Sequence, residues 1–314
     1  MTAKTGLISH LACLEHVPPH GHPESPERLR TVLSALETGF DGLAREQAEA
    51  ASRAALLGAH SAAHVEAVLG RLADEAAREG YVAIDADTFM SPGSAQAALL
   101  AAGAVVQAVE RVARGDMKNA FCAVRPPGHH APADRAMGFC LFNNVAVGAF
   151  EARRMGVSER IAVIDFDVHH GNGTQDIFFD DANLFYASTH QSPLYPGTGA
   201  RREHGIANNI LNVPLAPYSG SKEFRSAMTN EILPALDDFK PVFIFISAGF
   251  DAHDDDPLAQ LRLTDEDFGW ATAAICEKAA ELCAGRVVST LEGGYDLDAL
   301  GRSAAAHVRA LMEA

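Results

Sequence analysis

The sequence predicts a single α/β domain organised around a mostly parallel β-sheet. Short apolar runs typical of buried strands alternate with amphipathic helical stretches along the 314-residue chain. The clearest run, Ile161–Asp165, has four apolar and mainly β-branched side chains in five positions, as expected of a strand buried on both faces. No internal repeat or low-complexity linker interrupts the alternation, so residues 1–314 are predicted to form one domain.

Composition restricts the class of partner. The net charge of −16 argues against a large basic surface, so nucleic acid is not an expected ligand, whereas cationic or neutral substrates are easier to attract. The five cysteines form no CxxC pair, and their odd number suits a reducing compartment. Residues 1–10 lack the apolar run of a signal peptide, and no segment offers the ~20 apolar residues of a membrane helix. A cytoplasmic protein without membrane contact is therefore expected.

The chain begins with a predicted strand at residues 5–9, followed by a loop rich in proline and glycine. Ser25 and Pro26 then begin a helix, as its N-cap and first helical residue. Three histidines lie in the loop, but their irregular spacing favours hydrogen bonding within the loop over metal binding: His16, His20 and His22.

Arg28 lies in the first turn of that helix, where the helix dipole disfavours a cation. This position indicates either a specific anionic or carbonyl partner, or a surface ion pair with Glu24 or Glu27. The sequence leaves both interpretations open.

Helical periodicity dominates residues 48–80 and 94–114, and the loop between them carries Asp85 and Asp87. Its turns are rich in hydrogen-bond acceptors, which suggests the rim of a pocket. A strand is predicted next, at residues 121–124.

Two adjacent histidines, His129 and His130, follow a turn made rigid by Pro126 and Pro127. Histidine is the side chain whose ordinary pKa suits proton transfer near neutrality, so the pair is a candidate for acid–base catalysis. Gly138, further along the same loop, permits a close backbone approach.

The buried strand Ile161–Asp165, preceded by a predicted helix at Asn144–Arg154, leads into the sequence DFDVHHGNG. Asp165, Asp167 and His169 are spaced two apart and would project to one side of an extended backbone. Two carboxylates and an imidazole suit zinc or iron(II). The alternative is that these side chains only cap the next helix.

The C-terminal half repeats this arrangement. Its predicted strands are residues 184–188, 209–213, 242–247 and 286–290, and its predicted helices are a turn at 176–179, 221–239, 264–284 and a last helix after residue 295. The strand at 242–247 delivers Asp251 at its carboxyl end, so Asp251 is expected to be the third metal ligand. Gly293 and Gly294 present Tyr295 before the last helix.

These motifs resemble the zinc-dependent histone deacetylase superfamily, above all its class II and bacterial histone deacetylase-like amidohydrolase branch, near the acetylpolyamine amidohydrolases. The resemblance covers residues 22–300 and is carried by HPESPERLR, RPPGHHAPADRAMGFCLFNN, DFDVHHGNGTQ, SAGFDAHDDDP and LEGGYDLDAL. It implies the arginase/deacetylase fold, in which helices flank a many-stranded, mostly parallel sheet with long loops at its carboxyl edge.

The resemblance also implies roles for individual residues. Asp167, His169 and Asp251 would bind the catalytic metal. His130 would be general base and then general acid, while His129, oriented by Asp165, would assist electrostatically. Tyr295 would donate to the developing oxyanion; its alternative is an aromatic ring packed on the glycine turn.

Further implied positions concern the acyl tunnel and structural cations. Gly138 and Phe139 would line the tunnel, and Arg28 would lie near an internal channel. A structural potassium would be held by Asp165, Asp167, His169, Ser188 and Thr189. A second monovalent cation would be bound by backbone oxygens of Phe178, Asp181 and Leu184.

Three positions place the chain within the family it resembles. Asn172 stands where class I members have an aspartate beside the second histidine; class II members also have an asparagine at this position. Tyr195 occupies a tunnel-wall position usually filled by phenylalanine. Leu258 stands where polyamine-selective relatives have a glutamate, which weakens the prediction of a polyamine substrate.

The sequence therefore predicts a metal-dependent amidohydrolase that removes short acyl groups from acyl-lysine-like amines, with Zn²⁺ or Fe²⁺ and structural K⁺. One alternative is a hydrolase of acetylpolyamines or other small amides, including foreign ones. The other is a metal-containing small-molecule binding protein without catalysis. The long rim loops are expected to support a homo-oligomer.

Overall fold

The computed structural model describes residues 4–157 and 159–314. The strands are β1 (Lys4–Ser9), β2 (Ala44–Gln47), β3 (Val82–Ala83), β4 (Phe89–Met90), β5 (Met117–Cys122), β6 (Ile161–Asp165), β7 (Leu184–Gln191), β8 (Ile210–Leu215), β9 (Phe243–Ala248) and β10 (Val287–Leu291). Eight of them are parallel and form one sheet in the order β2-β1-β5-β10-β9-β6-β7-β8, and β3 and β4 form a small antiparallel hairpin.

Helices cover the sheet, with a 3₁₀ helix at Leu11–Glu15. They are α1 (Pro26–Ala35), α2 (Arg53–Ala59), α3 (Ala62–Glu66), α4 (Leu72–Glu79), α5 (Ser94–Arg114), α6 (Asn144–Arg154), α7 (Asn172–Phe178), α8 (Ser221–Ala227), α9 (Leu233–Phe239), α10 (Asp265–Cys283) and α11 (Leu297–Glu313). Short π-helical turns, Ala67–Arg71 and Met228–Ile232, join α3 to α4 and α8 to α9. The fold matches the predicted arginase/deacetylase architecture.

The strands at the centre of the sheet end side by side. In β6, Asp165 pairs with Ser188 of β7 on one side and with Ser247 of β9 on the other, and Ser247 pairs with Thr290 of β10. All residues of β6, β9 and β10 are buried, as their apolar sequences predict. The loops that follow these strands therefore meet at one edge of the sheet, where the predicted site residues lie.

Helix α5 is the one described helix whose length and apolar composition would also suit a membrane span. It packs against α6 and β5, and 61% of its most apolar window is buried inside the molecule. Its apolar residues therefore serve the core of this domain.

Several predicted boundaries differ from the structure. The predicted strand at 121–124 begins earlier, at Met117, because Asn119 is buried with its amide donating to the carbonyl of Leu311, 2.8 Å away. Strand β2 was not predicted, since it is a polar edge strand. The helical stretch predicted for 48–80 begins at Arg53 and breaks at His60. The helix predicted as a turn at 176–179 already begins at Asn172.

Buried neutral histidines make stability depend on pH. Burial lowers the pKa of His60 and His190 to about 4 and that of His307 to about 3. In the unfolded chain these histidines take up protons at a pKa of ~6.5. Their contribution to the free energy of unfolding is therefore complete above that pH and is lost as the pH falls toward the folded-state pKa values. Each group contributes ~1.4 kcal/mol per pH unit in that window.

We expect these three histidines to lower the free energy of unfolding of the metal-free protein by up to ~4 kcal/mol per pH unit between pH 6 and pH 4.5, while Asp251 and Glu292, whose pKa values are raised to about 7, oppose part of this fall. Urea unfolding at a series of pH values measures it. The variant His307→Gln should reduce the slope, whereas His20→Gln, at an exposed position, should leave it unchanged. A slope in His307→Gln equal to that of the wild type would contradict this explanation.

Candidate active site

Three potential ligand atoms converge at the carboxyl edge of the sheet. Asp167 and His169 lie in the loop after β6, and Asp251 lies in the loop after β9. The Nδ1 atom of His169 is 3.2 Å from Oδ1 of Asp167 and 3.0 Å from Oδ2 of Asp251. The ligand atoms of these buried residues lie within 4.8 Å of one another, which is the spacing of a set that can share one metal ion.

The backbone holds both carboxylates in place. The N–H of Val168 donates to Oδ1 of Asp251 (2.9 Å), and the N–H of Gly293 donates to Oδ2 of Asp167 (2.7 Å). Gly293 and Gly249 are required here because a Cβ atom at either position would overlap one of these carboxylates. The strand tips and their glycines thus form a cradle for the ligand set.

The donor set fits a divalent cation. Burial, together with the neighbouring Asp167 carboxylate, raises the pKa of Asp251 to about 7. Two buried carboxylates side by side repel each other unless a cation compensates their charge. Two oxygen ligands and one nitrogen ligand, without a thiolate, suit zinc or iron(II), as the sequence predicts.

The two adjacent histidines have different environments. The Nδ1 atom of His129 is 2.9 Å from Oδ2 of Asp165, and that of His130 is 2.8 Å from Oδ1 of Asn172. Burial alone would lower the pKa of His129, but the carboxylates of Asp167 and Asp165 outweigh it and raise that pKa well above its ordinary value. Burial and the charges of His129 and His169 lower the pKa of His130 well below its ordinary value.

The hydrogen bond with Asn172 also assigns the protons of His130. The amide oxygen accepts from Nδ1–H, so a neutral His130 has its lone pair on Nε2. A charged His129 beside a neutral His130 is the combination that a general base with electrostatic support requires.

Of the residues described so far, His130 and His169 line a cavity of about 220 Å³. Seven of the predicted site residues line it: His130, Gly138, Phe139, His169, Tyr195, Leu258 and Tyr295. Asp87, from the predicted rim loop, and Leu194 complete the lining. Gly138 has a positive φ of 57°, and a Cβ there would lie 2.6 Å from Cδ2 of His130, so the glycine lets this wall approach the His130 ring.

Tyr295 is held by contacts on several sides. Its N–H donates to Oδ2 of Asp256 (2.7 Å), and its ring lies 4.8 Å from the guanidinium carbon of Arg28 and 5.9 Å from the ring of Phe139. Burial raises the pKa of Tyr295 well above its ordinary value, despite the opposing effect of Arg28. The phenol therefore stays protonated and can donate a hydrogen bond into the cavity.

Arg28 lies behind Tyr295 and is fully buried, so the ion pair with Glu24 that the sequence left open does form, but in the interior and not at the surface. Its donors reach the carbonyls of Gly294 (2.6 Å) and Glu292 (2.5 Å) and the carboxylate of Glu24 (3.1 Å). The alternative of a carbonyl or anionic partner is confirmed. Arg28 anchors the turn that presents Tyr295.

The three loop histidines do not gather around the metal ligands. His16 contacts Glu24 (3.3 Å), and His22 packs against Phe139 (4.7 Å between ring centroids). Among the described residues, the triad above is the group with metal-ligand geometry, and it includes none of the loop histidines. Their predicted role in loop hydrogen bonding is confirmed for His22, whose Nδ1 accepts from the backbone N–H of Glu24 at 3.1 Å; its Nε2 also contacts the carbonyl of Asp87 in the predicted rim loop, 2.9 Å away.

Two acidic residues that support the site were missed from the sequence. Glu292 accepts hydrogen bonds from the N–H groups of Gly128 (2.7 Å) and His129 (3.1 Å). Asp256 accepts from the N–H groups of Leu258 (3.0 Å) and Tyr295 (2.7 Å), so it joins the loops that carry these two lining residues. A single acidic residue before Gly-Gly-Tyr or before Pro-Leu is not a sequence pattern from which these hydrogen bonds to other loops could be predicted.

We expect Asp256→Ala to lower kcat by ~10–100-fold, because it leaves buried N–H groups of the Tyr295 loop without an acceptor and loosens the phenol. Steady-state kinetics with the melting temperature as a folding check measures the effect. Asp254→Ala, on the same loop but exposed, is the matched control and should retain wild-type kcat. Wild-type kcat in Asp256→Ala would show that this carboxylate does not position Tyr295.

The two predicted potassium sites differ in the structure. Asp165, the last residue of β6, and Ser188, within β7, are register partners, so these two residues of the first predicted site lie together. At the second site, the carbonyl oxygens of Phe178, Asp181 and Leu184 also lie together, but they surround the side-chain amide of Asn209.

Comparison with known proteins gives consistent matches over nearly the whole chain. Residues 22–311 match the histone deacetylase domain family. The chain is 42% identical to a "Probable deacetylase" of Methanothermobacter thermautotrophicus over 298 residues, covering 93% of this chain and 86% of that protein. It is 40% identical to "Histone deacetylase 10, chloroplastic" of Oryza sativa subsp. japonica over 309 residues, covering 93% and 70%.

A solved structure, the crystal structure of the HDA15 HD domain, superimposes with a TM-score of 0.92 at 35% sequence identity. The match covers 100% of this chain and 89% of that one. The similarity therefore extends to the complete described fold, including the loops at the carboxyl edge of the sheet.

Proposed function

The chain belongs to the histone deacetylase family, and from this premise we propose that it is a metal-dependent amidohydrolase that removes acetyl or similar short acyl groups from acyl-lysine-like amines. The observation that carries the proposal is the convergence of Asp167, His169 and Asp251 beside a cavity that also contains His130 and Tyr295. A metal site, a neutral base and a phenol donor around one small cavity are the groups that amide hydrolysis requires.

The residues divide the work as follows. A divalent cation bound by the triad would lower the pKa of a water molecule and polarise the amide carbonyl. Nε2 of His130 accepts the proton of the attacking water and later donates it to the leaving amine. His129, kept charged by Asp165, stabilises negative charge nearby, and Tyr295 donates to the developing oxyanion.

The cavity supports a slender acyl-amine substrate. Phe139, Tyr195 and Leu258 provide apolar surface for an alkyl chain, while Asp87 places a carboxylate among the lining residues. Asp87 also favours the alternative of an acetylpolyamine or another small cationic amide, because a carboxylate attracts a distal ammonium. Leu258, where a polyamine-selective relative would have a glutamate, favours the acyl-lysine substrate.

We further propose Zn²⁺ or Fe²⁺ as the catalytic ion and a structural K⁺ at Asp165 and Ser188, with Asp167, His169 and Thr189 around it. We infer a cytoplasmic homo-oligomer that acts on small acylated amines or acyl-lysines and has no nucleic-acid or membrane partner. All five cysteines are unpaired, which is consistent with a reducing compartment. The competing hypothesis is a metal-containing binding protein without catalysis. Such a protein would need no general base, so the neutral His130 in the cavity favours the hydrolase.

Acetate release from an acetyl-lysine peptide and from N-acetylputrescine, by protein loaded with zinc or with iron(II), tests the proposal. We expect a higher kcat/KM for the peptide and inhibition by a hydroxamate. His130→Ala is the matched control for contaminating activity. Absence of acetate release from a broad acyl-amide panel with either metal would favour the binding protein.

Asn172 provides a pH-dependent test. Its amide leaves the pKa of His130 low, so the base is neutral over a wide pH range. Asn172→Asp adds a negative charge 2.8 Å from Nδ1, which raises that pKa, typically by ~1–3 units. Because protonated His130 cannot accept a proton, the acidic limb of kcat/KM should move to higher pH.

The pH–rate profile of Asn172→Asp measures this shift. Asn230→Asp, which adds the same charge at an exposed position, should have the same pH–rate profile as the wild type. An unchanged acidic limb in Asn172→Asp would exclude His130 as the group that sets it.

A further inference from the structure

Three backbone carbonyls of the segment that joins α7 to β7 surround the side chain of Asn209, the residue just before β8. The Nδ2 atom of Asn209 lies 2.9 Å from the oxygen of Phe178, 3.1 Å from that of Asp181 and 2.8 Å from that of Leu184. Asn209 is buried, with 2% of its surface exposed. The amide therefore occupies the centre of the ring of oxygens that the resemblance assigns to a second monovalent cation.

The contacts of Asn209 fix the orientation of its amide. Its Oδ1 accepts from the N–H of Ala207 at 3.3 Å, on the side away from the carbonyls. Rotating the amide by 180° would bring its NH₂ group against this N–H and its oxygen against three carbonyl oxygens. Hydrogen bonding is satisfied only with the NH₂ group directed at the carbonyls.

An amide nitrogen and a cation cannot both occupy this position. Carbonyl oxygens replace the hydration shell of K⁺ in proteins, and each oxygen here is already within hydrogen-bond distance of Nδ2. Two of them also accept a backbone N–H: Phe178 from Asp181 (3.1 Å) and Asp181 from Leu184 (3.0 Å). Their negative ends are therefore compensated without an ion.

A fixed positive charge already serves the same turn. The guanidinium of Arg153 makes a two-point contact with the carboxylate of Asp181, at 2.6 and 3.0 Å. This ion pair neutralises the carboxylate of Asp181, the one ring residue whose charge could have compensated a bound cation. The charges at the ring are thus balanced with a neutral amide at its centre.

We propose that Asn209 takes the place of the second monovalent cation, so that this chain binds one K⁺ fewer than its resemblance to the family implies. The turn that links α7 to β7 is then held by a covalently attached donor, and its stability is independent of K⁺. This inference goes beyond the proposed function, since it concerns no catalytic step and is tested without measuring activity.

The test counts K⁺ in the zinc-loaded protein and follows its melting temperature. Wild-type protein and Asn209→Ala are equilibrated in KCl, or in N-methylglucamine chloride of equal ionic strength, and bound K⁺ is determined by elemental analysis. Asn209→Ala empties the ring, so it should bind one K⁺ more than the wild type. Its melting temperature should rise by roughly 2–4 °C for each tenfold increase in K⁺ above the dissociation constant.

Asn212→Ala is the matched control, because Asn212 is the same residue type, three positions further along β8, and equally buried. Its amide donates to Gln175, 2.7 Å away, and not to a carbonyl ring. This variant should lose stability equally in both salts and bind the same number of K⁺ ions as the wild type.

Equal K⁺ counts in the wild type and Asn209→Ala would overturn the proposal. If Asn209→Ala folds only in KCl, the proposal is supported, since the ion then replaces the amide. If it folds in neither salt, the wild-type count decides: at most one K⁺ per chain supports the amide, and two overturn it.

Discussion

Replacing Tyr295 with phenylalanine is expected to lower kcat by roughly 10²–10³-fold with little change in KM, because the hydroxyl acts on charge that develops only in the transition state. The substitution removes one oxygen and keeps the ring. The contacts of that ring with Arg28 and Phe139, and the hydrogen bond from the backbone N–H to Asp256, are retained. The expected fall in kcat is thus caused by loss of the hydroxyl donor and not by a change in the local structure.

Steady-state kinetics on the preferred acyl-amine, together with the affinity for a hydroxamate, measures the effect. Tyr218→Phe is the matched control, since Tyr218 is 64% exposed and lies outside the cavity lining. Retention of more than about a tenth of the wild-type kcat in Tyr295→Phe would be incompatible with an oxyanion donor. The aromatic ring packed on the glycine turn would then be the better interpretation of Tyr295.

Apolar periodicity predicted the central strands because burial on both faces leaves little choice of side chain. Strand β6 has the boundaries that its sequence predicts, and β9 and β10 differ by about one residue. Strand β2 could not be found in this way, since Arg45 and Glu46 reflect its place at the sheet edge. Glu46 accepts hydrogen bonds from Gln107 and Arg111 of α5, and such partners distant in sequence leave no local pattern.

The candidate site divides along the same line. The expected metal ligands Asp167 and Asp251 lie just after recognisable strands and could be predicted. Residues that hold them were not predicted, because Asp256 and Glu292 act through the backbone N–H groups of other loops. The role of Asn209 was missed for a further reason: no sequence pattern shows that the residue just before β8 places its amide among backbone carbonyls of residues 178–184.

Turnover is expected to disappear on removal of the bound metal and to return with zinc or iron(II). The Asp251→Asn variant should bind metal weakly and lose roughly 10³-fold or more in kcat/KM, since a metal ion supplies several kcal/mol of transition-state stabilisation. An amide oxygen can still accept the hydrogen bond from Val168, 2.9 Å away in the wild type, so the loop retains its main anchor. What changes is one ligand charge in a buried set of three.

Metal content after dialysis against a chelator, measured beside acetate release, separates binding from catalysis. Asp267→Asn alters a buried aspartate at the start of α10, remote from the triad, so it should lose some stability and keep its metal. Chelated protein that still turns over would remove the metal from the mechanism. Asp251→Asn with wild-type metal content and wild-type kcat/KM would instead remove Asp251 from the ligand set, because a carboxylate that binds the ion cannot be replaced by a neutral amide without cost.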